Sequence, residues 1–402
     1  MIRSSNYRRR PACVRDRGGF TMVEILMVVV IISILLALLL PAINAAMRTA
    51  RNAAASAEIN QLATAVENFR SKYGDYPPSR VYLAENGLYP VGLQTQVNSG
   101  DPNDIQVGQL AQRSLIALRK FFPRVTFGTQ AVPPVILNSN GTYWYDFNGN
   151  GVMDNPYILQ GHECLAFFLG GIPLGDPQTG TYAMTGFGKD PTNPFYNSIS
   201  GNAMYSGNRQ PPIFEFNTSR LFADPNRSDP VANPLDLYRQ IYVPGYYDSL
   251  GNSPPALGGN TLNFYAYFSG YGSGTYDADD VNFPTEADGS GISPIGLQFQ
   301  HAGSFYTSPA PNPYTTTTSI SPSTGTVTFQ KAQSFQIIAA GVDGLYGVGG
   351  QFIPPAAGTS TASNALPLDA ANTYSGTKVT ADATIRIRER DNLTNFKSGT
   401  LQ

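Results

Sequence analysis

Residues 17–43 read RGGFTMVEILMVVVIISILLALLLPAI, and this stretch decides how the fold begins. From Phe20 to Ile43 the only charged side chain is Glu24. A helix over these 24 residues would be roughly 36 Å long, at about 1.5 Å per residue, which is enough to cross the hydrocarbon core of a bilayer. The sequence therefore predicts a transmembrane helix over residues 20–43.

The residues before the apolar run indicate its orientation. Residues 1–19 contain six arginines and a single acid, Asp16. Because an excess of Lys and Arg marks the cytoplasmic flank of a membrane helix, the N-terminus should stay in the cytoplasm. We expect a single pass through the inner membrane and an exported C-terminal part.

Two ordinary explanations of the apolar run fit poorly. A secretory signal peptide has a short apolar core followed closely by a small-residue cleavage site, whereas here the nearest such site, Ala53–Ala55, lies well beyond the long core Ile25–Leu40. A plain membrane anchor accounts for the length but leaves Glu24 unexplained. An unpaired acid inside a membrane costs about 3 kcal/mol, so Glu24 needs a partner.

The order RGGFT at 17–21, followed by Glu24 and the apolar run, strongly resembles the class III signal of type IV pilin-like proteins. The resemblance implies that a prepilin peptidase cleaves after Gly19 and N-methylates the new first residue, Phe20. It also implies that Glu24 pairs with the N-terminal amine of a neighbouring subunit during assembly, which supplies the missing partner. Residues 1–19 would then be a removed leader.

Helical periodicity continues beyond the membrane segment, over residues 44–74. Gly74 and the pair Pro77-Pro78 mark its end, because glycine favours a helix C-terminus and proline cannot continue a helix. We predict one continuous helix that ends near Tyr73, with residues 44–74 packed on the exported domain. A free coiled coil is the alternative for residues 44–74. Pro41 should kink or locally melt the helix. The small and apolar positions that recur at spacings of three and four are Met47, Ala50, Ala54, Ala57, Gln61/Leu62, Ala65, Val66, Phe69 and Tyr73.

Residues 75–402 have the composition of a turn-rich β domain. The whole chain has 40 Gly, 31 Pro, 23 Tyr and 22 Phe but only 13% charged residues. Short candidate strands such as Tyr157–Leu159 and Gln333–Ala339 alternate with Asn- and Gly-rich turns, and Leu110–Phe121 has a helical pattern. The predicted fold class is α+β, with a long N-terminal helix packed on an antiparallel β-rich globular domain that carries long loops, as in pilins.

Two further segments resemble the major pseudopilin of type II secretion. The helix ends in the tyrosine-glycine, tyrosine-proline elbow YGDYPP at 73–78, and FQIIAAGVDG at 335–344 resembles the last core strand of that family with its glycine-acid-glycine turn. The resemblance implies a structural subunit of a periplasmic filament, assembled from copies of itself and related pseudopilins on an inner-membrane assembly platform. Its β domain would decorate the filament or contact exported cargo.

Two alternative functions remain open from the sequence. One is a type IV pilus or minor pilin-like subunit, and the other is a membrane-anchored binding module that never polymerises and recognises polysaccharide. A net charge of −2 provides no global basic field, so no nucleic-acid partner is expected. His162 and Cys164 would share one face of a strand without forming a directed base–nucleophile pair, and we expect no enzymatic activity.

One loop has the spacing of a calcium site. Residues 146–154 read DFNGNGVMD, which places oxygen ligands at positions one, three, five and nine and a glycine at position six. The twelfth position is Tyr157 and not glutamate, so a bidentate ligand is missing or comes from elsewhere, and an Asn-Gly hairpin is the alternative. The candidate ligands are Asp146, Asn148, Asn150 and Asp154.

A second candidate for calcium follows from the family resemblance alone. In the major pseudopilins a calcium site lies in the loop after the last core strand, and Asp343 matches one of its positions. The acidic residues expected next are replaced by GVGG at 347–350. Calcium is the one cofactor that the sequence suggests.

Overall fold

The computed structural model describes residues 19, 21–89, 102–129, 145–150, 153–154, 156–176, 181–195, 208–222, 243–250, 263–270, 276, 280, 313–316, 328–342, 344, 346, 349–350, 352–353 and 389–401. The chain divides into two compact units, Met1–Ala50 and Arg51–Gln402. The structural statements below concern the described residues.

Helix α1 runs from Met22 to Tyr73 and contains 52 residues, so it is roughly 78 Å long. It ends as predicted, because Gly74 adopts a left-handed φ of +84° and donates its N–H to the carbonyl of Arg70 at 2.7 Å. The helix continues through Pro41, so the local melting expected there is not seen.

The buried face of α1 agrees with the prediction from Leu62 onward but differs from it before that residue. Every described residue from Thr21 to Arg51 is exposed, and burial begins at Ala55. The alanine stripe through Ala50, Ala54 and Ala57 stays exposed. Before Leu62, Ala55 and Ile59 are buried instead, and the larger Ile59 side chain removes more apolar surface from water than an alanine does. The predicted residues Leu62, Ala65, Val66 and Phe69 are buried as expected.

The unit after Ala50 contains two further helices and eleven short strands among the described residues. In chain order they are β1 Val81–Leu83, β2 Leu88–Tyr89, α2 Pro102–Phe121, β3 Gly128–Thr129, β4 Tyr157–Leu159, α3 Gly161–Gly170, β5 Pro173–Asp176, β6 Thr181–Met184, β7 Leu221–Phe222, β8 Gly245–Tyr246, β9 Ala266–Ser269, β10 Phe335–Ala339 and β11 Leu393–Thr394.

Antiparallel pairing predominates, and the fold is α+β as predicted. The largest sheet has the order β11-β10-β9 and is antiparallel throughout, with Phe335 opposite Ser269 and Ala339 opposite Leu393. The pairs β1-β4, β5-β6 and β7-β8 are antiparallel, and only β2-β3 is parallel among the described pairs. Strand β10 is therefore central and not the last strand, because β11 follows it and pairs with its other edge.

After the first helix, some elements were predicted correctly from the sequence and one was predicted wrongly. Strand β4 has the predicted bounds, and the predicted helix Leu110–Phe121 is the C-terminal part of α2. The segment with His162 and Cys164 is helix α3 and not a strand. All ten residues of α3 are buried, so the sequence shows no apolar periodicity that would have indicated a helix. At the start of α3, Glu163 accepts a hydrogen bond from the Gln160 N–H at 2.9 Å and completes a capping box.

Phe69 joins α1 to the other two helices. Its ring is fully buried and meets Phe121 of α2 edge-on at 5.2 Å and Phe168 of α3 at 5.7 Å between ring centroids. Edge-to-face aromatic pairs add stability beyond the area that they bury. Phe69 is thus a central contact between α1 and the domain.

Replacing Phe69 with Ala should lower the free energy of unfolding by about 3–5 kcal/mol, because it removes a buried ring and leaves a cavity. The matched control is Ile116→Ala, since the Ile116 side chain on α2 is 71% exposed and its loss should change stability by about 0.5 kcal/mol or less. Guanidinium unfolding of the full chain in detergent, followed by near-ultraviolet circular dichroism, measures both. Equal effects of the two variants would contradict this account of the core.

Candidate functional site

The N-terminus of α1 is closed by a reciprocal pair of residues. Thr21 donates its backbone N–H to Glu24 Oε2 at 2.7 Å and its hydroxyl to the same oxygen at 2.8 Å. The Glu24 N–H in turn donates to Thr21 Oγ1 at 3.3 Å. This is a capping box, which satisfies N–H groups that the first helical turn leaves without partners.

The capping box gives Glu24 a defined position before any assembly. Its carboxylate is held at the start of the helix, beside the backbone of Thr21, the residue that follows Phe20. Phe20 itself lies outside the described residues. Sequence reasoning assigned Thr21 no role, although the spacing Thr-x-x-Glu at 21–24 is a recognisable signal of a capping box.

Gly19 is exposed, and the described atoms around it do not require glycine. A Cβ atom built there would meet no other atom within 4 Å. Glycine lets an extended chain enter a narrow cleft without side-chain clashes.

The first half of α1 presents a continuous apolar surface. The exposed fraction of its large apolar side chains ranges from 43% at Ile43 to 89% at Met22. Among the described residues, α1 is the one helix that is both long enough and apolar enough to cross a membrane. None of the residues in its most apolar stretch is buried. This distinguishes it from the core helix of a globular protein, which would be mostly buried.

Residues 14–40 match the family model of the prokaryotic N-terminal methylation motif. The matched segment includes Gly19, Phe20, Thr21 and Glu24, and it continues into the exposed apolar part of α1. The motif indicates a pilin-like class III signal, the type of N-terminus that a prepilin peptidase processes. No curated protein and no solved structure matches the chain.

The four predicted calcium ligands of the 146–154 loop lie together. Asn148 and Asn150 donate their side-chain amides to Asp154 Oδ2 at 2.6 and 2.8 Å. Asp146 Oδ1 accepts the N–H of Gly149 at 2.7 Å, and Asn148 Oδ1 accepts the N–H of Asn150 at 3.1 Å. In this arrangement both amides turn nitrogen and not oxygen toward Asp154, so both would have to rotate to coordinate a cation.

Glu85, which sequence reasoning missed, completes this cluster. It lies 69 residues before Asp154, and its buried carboxylate accepts the Asp154 N–H at 2.7 Å and the Tyr157 hydroxyl at 3.0 Å. Burial, together with the negative charges of Asp154 and Asp146, raises the pKa of Glu85 to about 8. Burial also raises the pKa of Asp154. Glu85 thus contacts Tyr157, the residue that stands at the twelfth position of the loop.

The donor set limits what the loop can bind. In the part of the chain that the structure describes, no three His, Cys, Asp or Glu side chains converge closely enough to hold a metal ion. Asp343, the second predicted position, lies outside the described residues. A calcium ion at the loop would depend on the side-chain oxygens of Asn148 and Asn150.

Calcium binding at this loop should therefore be weak, with a Kd of about 10⁻⁴–10⁻³ M, as in extracellular calcium modules. Calorimetric titration of the full chain in detergent with Ca²⁺ should show heats that Asp146→Ala abolishes. Asp190→Ala, which removes an exposed acid outside the loop, is the control and should leave the heats intact. Unchanged heats in Asp146→Ala would remove this site and leave Asp343 as the remaining predicted position.

Proposed function

We propose that this chain is a structural subunit, a pseudopilin, of a type II secretion pseudopilus. The observation that carries the proposal is the prepilin-type motif at residues 14–40, followed by an apolar helix whose described residues are exposed up to Arg51. The elbow at 73–78 and strand β10 supply the likeness to the major pseudopilins. A prepilin peptidase would cleave after Gly19 and methylate Phe20.

Before assembly the subunit is stored in the inner membrane. The arginine-rich leader keeps the N-terminus in the cytoplasm, and the globular unit lies in the periplasm. Assembly exchanges the lipid around residues 20–43 for the same segment of neighbouring copies and of related pseudopilins. The inner-membrane assembly platform would guide this exchange, and the domain would then face exported cargo.

Glu24 sets the stagger between copies. In the isolated subunit its carboxylate is held by Thr21, and a helix cap of this kind contributes about 1 kcal/mol. Inside a dry helical bundle, an uncompensated charge costs several kcal/mol, so the amine at Phe20 of a neighbour must find a carboxylate. Because pairing the amine is worth more than the helix cap, the Glu24 carboxylate turns from Thr21 to the neighbouring amine, which it can reach at one axial position.

The proposal includes no catalytic role. His162 is buried, and its ring lies 4.8 Å from the ring of Phe264 between centroids. Cys164 is fully buried on the same helix, and burial raises the pKa of its thiol well above the ordinary value. A thiol without thiolate character and without access to solvent is a poor nucleophile.

Replacing Glu24 with Ala should give a cleaved, membrane-resident subunit that forms no filament. Membrane insertion depends on the apolar run and is made easier by losing an acid, whereas assembly loses the contact that selects the stagger. Glu24→Asp should assemble partially, because its shorter side chain holds the carboxylate further from the amine. Cross-linking ladders from cells that overproduce the subunit measure assembly.

Asp190→Asn removes an exposed acid outside the helix and should give the ladder of the native chain. Leader removal and membrane abundance are measured in the same cells, so that a failure of processing is not mistaken for a failure of assembly. A native ladder from Glu24→Ala would show that Glu24 does not set the stagger, whereas the absence of a ladder from the native chain would favour an anchored module that does not polymerise.

A further inference from the structure

Glu58 of α1 is held by side chains from three distant parts of the chain. Its Oε1 accepts the Tyr246 hydroxyl at 2.7 Å, and its Oε2 accepts the Tyr265 hydroxyl at 2.6 Å. Arg220 donates Nη1 to Oε2 at 2.9 Å and also pairs its Nη2 with Oε1. A carboxylate has about four acceptor sites, and all four are used here.

This ion pair is shielded from water, unlike the other pairs near α1. The Glu58 and Arg220 side chains are 16% and 14% exposed. The pair Glu67–Arg70 on the same helix is 3.9 Å long and half exposed, which makes it a weak contact. Of these two ion pairs, the one between Glu58 and Arg220 is therefore the better protected from solvent.

The partners of Glu58 are themselves fixed in place. Arg220 ends a short 3₁₀ turn, Thr218–Arg220, that is capped by the Asn217 side chain, and its guanidinium lies 4.4 Å from the centre of the Tyr246 ring. Burial alone would lower the pKa of Arg220, but the hydrogen bonds and charge of Glu58 outweigh it and the pKa is raised. Burial and the charge of Glu58 raise the pKa of Tyr265, which therefore remains a hydroxyl donor.

The cluster lies where α1 first becomes buried. Ala55 is the first buried residue of the helix and Ile59 the second, so Glu58 belongs to the first docked turn. Apolar packing is non-directional, and the buried stripe repeats at spacings of three and four. A slide by one turn, about 5.4 Å, would keep many apolar contacts but would leave the largely enclosed Arg220 without its carboxylate.

We propose that Glu58 is a clamp residue: with Arg220, Tyr246 and Tyr265, it fixes a single register for residues 51–73 of α1 on the globular unit. The clamp resists sliding or peeling that begins at the first docked turn. This role rests on the proposed function, in which the subunit leaves the membrane during assembly and the helix must keep its position on the globular unit. Apolar packing holds the helix on the globular unit, and the Glu58 contacts determine its register there.

The test uses hydrogen–deuterium exchange on the full chain in detergent, with Cys13 changed to Ser. In Glu58→Gln, amides of residues 51–62 should exchange at least about tenfold faster than in the native chain, while residues 63–73 stay protected. The control is Lys120→Gln, which breaks the half-exposed pair of Lys120 with Asp75 and should change exchange by about twofold or less. Equal exchange in the two variants overturns the clamp.

Two further variants keep the test decisive if Glu58→Gln fails to fold. Tyr265→Phe removes one of the four hydrogen bonds and should give a smaller acceleration over the same residues; native exchange there counts against the clamp. The double variant Glu58→Leu/Arg220→Met replaces the ion pair by apolar contacts, which often preserves stability. It should fold with a thermal midpoint close to that of the native chain but lose its unique register.

Spin labels at Gln61→Cys and Thr192→Cys, both exposed positions, report that register. The native background should give one narrow distance, and the apolar double variant a broader or second distance. A single unchanged distance in the double variant would show that apolar packing alone sets the register. These measurements use isolated subunits, so a failure of cleavage or of filament formation would overturn the proposed function without deciding the clamp.

Discussion

The structure depends on one unmet constraint: the apolar surface of α1 between Met22 and Ala50 has no partner among the described residues of the chain. Each square ångström of apolar surface left in water costs roughly 25 cal/mol, so covering this surface is strongly favourable. Lipid covers it in a membrane, and identical helices can cover it in a bundle. Because lipid and side chains are about equally apolar, exchanging one for the other provides little hydrophobic gain. Polar contacts must then decide where neighbouring helices stop.

Two acids on α1 are suited to this task at different levels. Glu24 is fully exposed on the apolar half, and among the described residues its carboxylate accepts hydrogen bonds from Thr21. In the proposed filament it pairs with a neighbouring copy. Glu58 is enclosed within the chain and already has four donors. In the proposed filament, Glu24 sets the stagger between copies and Glu58 sets the register between the helix and its own domain.

Local signals were sufficient for much of the fold. The motif at 17–24, the helix end at Gly74 and strand β4 were predicted because each depends on residues close together in sequence. Helix α3 was missed because a segment buried on every side shows no periodicity. The buried face of α1 was predicted correctly at Leu62, Ala65, Val66 and Phe69, but before Leu62 the alanines were chosen in place of Ala55 and Ile59, since small and larger apolar residues both recur at helical spacing. Glu85 and the partners of Glu58 come from distant segments, which no local pattern connects.

The intact mass of the chain extracted from membranes of producing cells tests the central claim most directly. The account predicts a mature chain that begins at Phe20, carries one added methyl group and lacks residues 1–19, while a Gly19→Leu variant keeps its leader. A mature terminus near Ala55, or an uncleaved native chain, would contradict it.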